Sequence, residues 1–287
     1  MPESRTASRR TRPARTAARP AKSRARRRKR HADSLLAVDV GNSEITVGRF
    51  RGDTLDGFWR LTSTRLTADE IGLALDTLLR HAARAGHTGT PGAAVLCSVV
   101  PALSLPWAEA LEKLTGAAPV EVNATTAGIA IRYHDPSAVG PDRLANAIAV
   151  RERYGAPAIV VDLGTATTFD CVSRDGAYLG GIIAPGIGTS SEELFRRAAR
   201  IPRVELRAPE HALGRTTEES LRAGVIWGHA GQIDALVRRL ALEMKGTPHV
   251  IATGGYAPLV SRECETINRV DEALTLKGMK SIWQHHH

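Results

Sequence analysis

Cysteine is scarce in this 287-residue chain, and aromatic residues are scarcer than usual: three Cys (Cys97, Cys171, Cys264) and 4 % Phe, Trp and Tyr. The cysteines stand far apart, odd in number and without a CxxC pair. That pattern argues against a disulfide scaffold or a zinc site and fits a reducing, cytoplasmic compartment. No apolar run approaches the roughly 18 residues that a membrane-spanning helix needs, so no membrane partner is expected. The start of the chain has no apolar stretch of the secretory kind. Neither GxxxxGK[ST] nor GxGxxG occurs, which removes the Walker loop and the dinucleotide turn from consideration. His134, His211 and His229 lack metal-ligand spacing, and His285 to His287 have the look of a tag and receive no role.

Charge is unevenly placed. The formal net charge is +9, yet 13 of the 39 Lys and Arg precede residue 33, against one acid, Glu3. The remainder carries 26 basic and 29 acidic residues. A mildly acidic body thus bears a basic arm, 1–32, whose Ala, Arg, Ser and Pro show no apolar periodicity. Such a segment cannot offset the entropy of ordering, so a disordered tail is expected. Its composition leaves a transit peptide open, and leaves open a nucleic-acid contact by phosphate neutralisation.

With 43 % hydrophobic residues, the rest can build a substantial core. SLLAVDV (34–40) reads as a buried strand, EITVGRF (44–50) and FWRLT (58–62) as its continuation, and AAVLCSVV (93–100) as a return to strand. Thr67 and Glu70 have capping-box spacing ahead of a helix, PWAEALEKLTG (106–116) reads as a helix, and so does 142–155. The opening pattern then recurs. AIVVDLGTATTFDCV (158–172) repeats LLAVDVGNSEITVGRF (35–50), with Asp-x-Gly beginning at Asp39 and again at Asp162, 123 residues on. YLGGIIAPG (178–186), helices near 190–200 and 216–243, and HVIAT (249–253) complete a second half. The expectation is an α/β chain of two related lobes, 33–153 and 154–287, around a cleft.

Two Asp-x-Gly turns point to phosphate. Glycine lets the backbone approach an anion, and turn N–H groups donate to it. Asn42, Ser43, Thr165 and Thr167 add short polar side chains, and an aspartate beside such a turn can hold Mg²⁺ directly or through water. Gly180-Gly181, Pro185-Gly186 and Gly254-Gly255 add backbone-approach points where a nucleoside would sit against the second lobe.

VDVGNS, VGPDR, DLGTATTFD, GGIIAPG, LGRTT and TGG, in that order, resemble type III pantothenate kinase over about residues 34–283; Gly140-Pro141-Asp142-Arg143 is the most diagnostic element. The resemblance implies the duplicated actin-like, ribonuclease H-like architecture of the actin/Hsp70/hexokinase superfamily. It implies transfer of a phosphoryl group from ATP with Mg²⁺ to pantothenate, the first step of coenzyme A synthesis. A potassium or ammonium ion and a homodimer are also implied.

By position, the resemblance implies that Asp142 is the catalytic base, with Arg143, Gly140, Pro141, Tyr133 and Thr217 toward the substrate. It assigns Asp39, Val40, Gly41, Asn42, Ser43, Glu44, Ile45, Thr46 and Thr165 to ATP, and Asp162 to the monovalent cation. Residue chemistry alone also allows Asp142 to be an N-cap, Tyr133 a packed rim residue and Thr217 an N-cap. Three features depart from the family pattern: Glu44 beside the first turn, Pro141 ahead of Asp142, and the arm. An inactive, nucleic-acid-associated relative is the alternative, and a sugar or acetate kinase of the same superfamily is a third reading.

Overall fold

A computed structural model describes residues 34–84, 86 and 89–287; the basic arm and its expected disorder lie outside the described residues. Two five-stranded mixed sheets form the frame. The first contains β1 (Ser34–Val40), β2 (Glu44–Arg51), β3 (Thr54–Thr62), β4 (Ala93–Ser98) and β5 (Val120–Glu121), in the order β3-β2-β1-β4-β5. The second contains β6 (Ala158–Leu163), β7 (Ala166–Val172), β8 (Tyr178–Pro185), β9 (His249–Thr253) and β10 (Arg269–Val270), in the order β8-β7-β6-β9-β10. The two orders are the same. In each sheet an antiparallel three-stranded meander is extended by two parallel strands. The repeat read from the two Asp-x-Gly segments is therefore a repeat of topology.

Helices complete five layers. α1 (Ala68–Arg84) and α2 (Pro101–Thr115) cover the outer face of the first sheet around Ile71, Leu75 and Trp107. The capping box forms at the start of α1. Glu70 N–H donates to Thr67 Oγ1 at 3.3 Å, and Thr67 N–H donates to Glu70 Oε2 at 2.8 Å. α2 begins at Pro101, five residues before the expected start, and ends on the left-handed Gly116. On the far side, α4 (Ile187–Arg197), α5 (Thr217–Glu243) and the short α6 (Ala257–Val260) lie against the second sheet.

Between the sheets lie α3 (Pro141–Arg153) and α7 (Leu274–His285). Their core joins Leu35 and Ala37 of β1, Leu144 and Ile148 of α3, Ala158 and Val160 of β6, and Met279 and Ile282 of α7. α3 is buried continuously from Arg143 to Val150, as expected of a helix covered on every side. A Cβ on Gly278 would come within 1.9 Å of the Ala145 carbonyl, so only glycine allows α7 to cross α3 this closely. The C-terminal helix thus returns to the first sheet, where it packs on β1 and β4. Among the described residues, no helix is long and apolar enough to cross a membrane.

Candidate active site

Strand alternation aims the site. On β1, Leu36, Val38 and Val40 enter the outer core while Leu35 and Ala37 face the central layer; on β6, Ile159, Val161 and Leu163 go outward and Ala158 and Val160 inward. Asp39 and Asp162 continue the inward series of their strands, so each carboxylate emerges at the strand end toward the space between the sheets. Both line one cavity of about 1360 Å³. Asp142, from the N-terminus of α3, lines it as well.

The two turns meet across this cavity. Gly41 N–H donates to Glu44 O at 3.0 Å, and Gly164 N–H donates to Ala166 O at 3.0 Å, closing each bend. A Cβ on Gly41 would sit 2.8 Å from Glu44 O, which explains the glycine. Ser43 Oγ and Thr165 Oγ1 lie 2.8 Å apart, so the first and second turns are joined by a hydroxyl pair. Thr189 Oγ1 donates to Thr165 O at 2.6 Å and ties α4 to the second turn. Gly254, with φ +91°, passes so close to Asp162 that a Cβ would lie 2.6 Å from Oδ1.

Electrostatically, the cavity holds too many acids for its solvent. Burial first, then Asp142, Asp162 and Glu44, push the Asp39 carboxyl up to about 8, with the Cys97 thiol opposing. Burial and Asp142 push Asp162 up to about 6, although the Asn146 amide donates to Oδ2 at 3.0 Å. Asp142 is raised by burial against the pull of the Arg143 amide and charge. Its Oδ1 accepts from the Arg143 N–H at 2.9 Å, taking one of the amides left over at a helix start. The N-cap itself is Gly140 and Pro141 opens the helix, so Asp142 is a first-turn acid and not the cap.

The remaining expected site residues divide. Gly41, Asn42, Ser43, Glu44, Thr46 and Thr165 line the cavity with the three aspartates. Val40 and Ile45 are fully buried in the outer core; they belong to the turn's sequence but face away from its ligand side.

Arg143 is not among the lining residues. Its Nε donates to Asp170 Oδ1 at 2.6 Å and its Nη2 to the Phe169 carbonyl at 3.2 Å. The guanidinium is committed to a buried carboxylate that needs its countercharge. Tyr133 follows a segment bonded to β8, where Arg132 N–H donates to Tyr178 O at 2.8 Å. Its ring lies 3.1 Å from where a Gly180 Cβ would stand, and it stays 43 % exposed. Thr217 is exposed at the first turn of α5 and does not line the cavity. The cap is Thr216, whose hydroxyl accepts from Glu219 N–H at 3.2 Å.

Several participants escaped the sequence reading. Asp170 is wholly buried on β7, where it holds Arg143 and accepts from Tyr178 OH at 3.1 Å; burial raises it to about 7 despite the guanidinium. An acid inside the apolar strand TTFDCV is the signal that marks it. Asn146 links Asp162 to α7, since Thr275 Oγ1 donates to its Oδ1 at 2.8 Å. Thr253, Arg60 and Glu272 also line the cavity. Among the described residues, no three His, Cys, Asp or Glu side chains are drawn together tightly enough to cage a metal by themselves.

Comparison with known proteins bears on this geometry. The sequence profile of the family described as "Type III pantothenate kinase" matches residues 35–239. A type III pantothenate kinase of Moorella thermoacetica is 44 % identical over 252 residues, covering 87 % of this chain and 98 % of that protein. One from Myxococcus xanthus is 42 % identical, covering 88 % and 99 %. Among solved structures, a Campylobacter jejuni protein assigned to the Baf family of transcriptional activators superposes with a TM-score of 0.56 at 20 % identity, over 88 % of this chain and 98 % of that one. Component A of the Acidaminococcus fermentans (R)-2-hydroxyglutaryl-CoA dehydratase gives 0.51 at 12 %, over 89 % and 100 %. Those two likenesses speak for the fold alone; the sequence matches speak for more, and by them the chain belongs to the type III pantothenate kinase family.

Proposed function

We propose that this chain transfers the γ-phosphoryl group of ATP to the primary hydroxyl of pantothenate, opening coenzyme A synthesis. The observation that carries the reading is the convergence of Asp39, Asp142 and Asp162 on one cavity whose two glycine turns are joined by Ser43 and Thr165. Phosphoryl transfer asks mainly for positioning and charge neutralisation, with a carboxylate to take the hydroxyl proton. Asp142 is the acid for that step. Its position on the first turn of a rigid central helix fixes it, and its raised proton affinity suits a base. The turns at 41–43 and 164–165 would cradle the phosphates with backbone N–H groups.

The donor set fits the ions. Mg²⁺ is commonly held by one or two carboxylates plus substrate phosphates and not by an all-protein cage, and Asp39, at the end of β1 beside the first turn, is the carboxylate that suits it. Mg²⁺ would supply neutralisation of the charge developing on the phosphates. Asp162, fixed by Asn146 and paired with Thr253 across β6 and β9, offers a carboxylate oxygen that suits a potassium or ammonium ion. Arg143 works in this reading by holding Asp170 and the floor beneath Asp142; Tyr133, over Gly180 and outside the lining of the cavity, would meet the acceptor from the rim. Thr217 lies outside its own chain's cavity; in this reading a second copy of the chain brings it to the substrate, the enzyme acting as a homodimer in the cytoplasm. The inactive-relative alternative finds no support here, because none of the three acids is lost.

A coupled assay of ADP release with pantothenate, with and without K⁺, tests the reading. Turnover dependent on both is expected; absence of pantothenate-dependent ADP release under those conditions rejects it. Light scattering should give twice the 30.8 kDa chain mass.

A further inference from the structure

At the mouth of the cleft, a charge arrangement stands that phosphoryl transfer does not require. Thr46 pairs with Arg60 across β2 and β3, and Glu44, two residues before Thr46, projects on the same face. All three line the cavity. Arg60 Nε lies 3.4 Å from Glu44 Oε1, and its Nη2 donates to Glu272 Oε2 at 3.2 Å. The guanidinium also rests 5.3 Å over the Phe58 ring, which restrains its swing. Glu272 belongs to the segment leading into α7, so Arg60 is held from both halves of the chain.

Glu44 is an unfavourable residue where it stands. It directly follows the turn whose N–H groups would meet a polyphosphate, and a bare carboxylate there would repel the ligand. The other basic residues lining the cavity among those described, Arg196 and Arg203, come from the second half and have their own acids, Glu193 and Glu192. Arg60 alone neutralises Glu44 from its own sheet.

We propose that Arg60 is a positioning residue for the nucleotide that acts through Glu44. It neutralises this carboxylate and draws it along the β2–β3 ribbon toward Glu272, leaving the 41–43 turn open to a polyphosphate. The inference rests on the ATP-dependent reading above for its ligand.

Calorimetric titration of the full chain with Mg²⁺ and a non-hydrolysable ATP analogue, without pantothenate, tests it. Arg60→Gln should loosen binding about tenfold, whereas Arg60→Lys, which keeps the charge, should lose less than threefold. Glu44→Gln alone should tighten binding about twofold. The decisive variant is Arg60→Gln with Glu44→Gln, expected within threefold of the unmodified chain because the carboxylate beside the 41–43 turn is gone, Glu272 lying away from that turn on the segment before α7. If the double variant binds as weakly as Arg60→Gln, Arg60 meets the nucleotide itself and the inference is overturned. Equal binding by Arg60→Gln and the unmodified chain, or loosened binding by Glu44→Gln, overturns it as well. Should the unmodified chain bind no nucleotide at all, the phosphotransfer reading is the one that fails. A thermal melt of each variant separates folding defects from these outcomes.

Discussion

Asp142 and Arg143 are neighbours in sequence and opposites in use. The carboxylate looks into the cavity, and the guanidinium turns down to Asp170. Asp142→Asn keeps the shape and the bond from the Arg143 amide but cannot accept a proton. Turnover of pantothenate should fall about 10²–10⁴-fold, while nucleotide binding and the melting temperature change little. Arg143→Leu should behave differently. It leaves Asp170 buried without its countercharge, a loss of about 3–5 kcal/mol when a buried pair is broken from one side. A urea titration should register that drop, and Arg143→Leu combined with Asp170→Asn should recover part of it. An Arg143→Leu variant as stable as the unmodified chain would mean that the pair carries no structural weight. At this scale the sequence was informative about Asp39 and Asp162 because each opens a recurring Asp-x-Gly turn, whereas Asp142 drew attention through the family resemblance carried by Gly140-Pro141-Asp142-Arg143. It was uninformative about Arg143's direction, because nothing local reveals that Asp170, 27 residues on, is buried beneath it.

Elements were read best where periodicity or a cap announced them. The β1–β2 and β6–β7 hairpins and the capping box at Thr67 follow from local sequence and occur as expected. α2 starts earlier than its apolar spacing suggests, because Pro101 is well placed at a first helical position and Pro106, inside the helix, resembles a start. α7 went unread because LTLKGMKSIWQH mixes lysines and a glycine into its core face. Lys280 is nonetheless buried, paired with Asp53 and stacked on Phe50, and Gly278 is the contact with α3. That contact is testable. Gly278→Ala places a methyl group 1.9 Å from the Ala145 carbonyl, so α7 must shift away from α3. Overpacking of this kind costs about 1–3 kcal/mol. Because Thr275 on α7 orients Asn146, and through it Asp162, the shift should also weaken the activation by K⁺ proposed for that site. Unchanged stability together with an unchanged K⁺ response would uncouple α7 from the site.

The whole molecule pays for its cleft in proton affinity. Asp39 and Asp162 sit at about 8 and about 6, raised mainly by burial, where an unfolded aspartate titrates near 3.8. The folded chain therefore holds these protons more tightly than the unfolded chain does. Their contribution to stability is fully present below about pH 4 and is lost as pH rises through about 6 and then about 8. Between pH 5.5 and 8.5, the ligand-free protein should melt at progressively lower temperature on this account. In the proposed reading cations change the balance: Mg²⁺ with nucleotide at Asp39, and K⁺ near Asp162, would stabilise the ionised carboxylates and release their protons. The rise in melting temperature on adding K⁺ and Mg-ATP should accordingly be larger at pH 8.5 than at pH 5.5, and binding at pH 7 should expel protons in a buffer-dependent heat. Asp39→Asn should flatten the ligand-free pH profile, since the amide has no charge to desolvate. A profile equally steep in Asp39→Asn would locate the penalty elsewhere in the fold and remove the cleft acids as its cause.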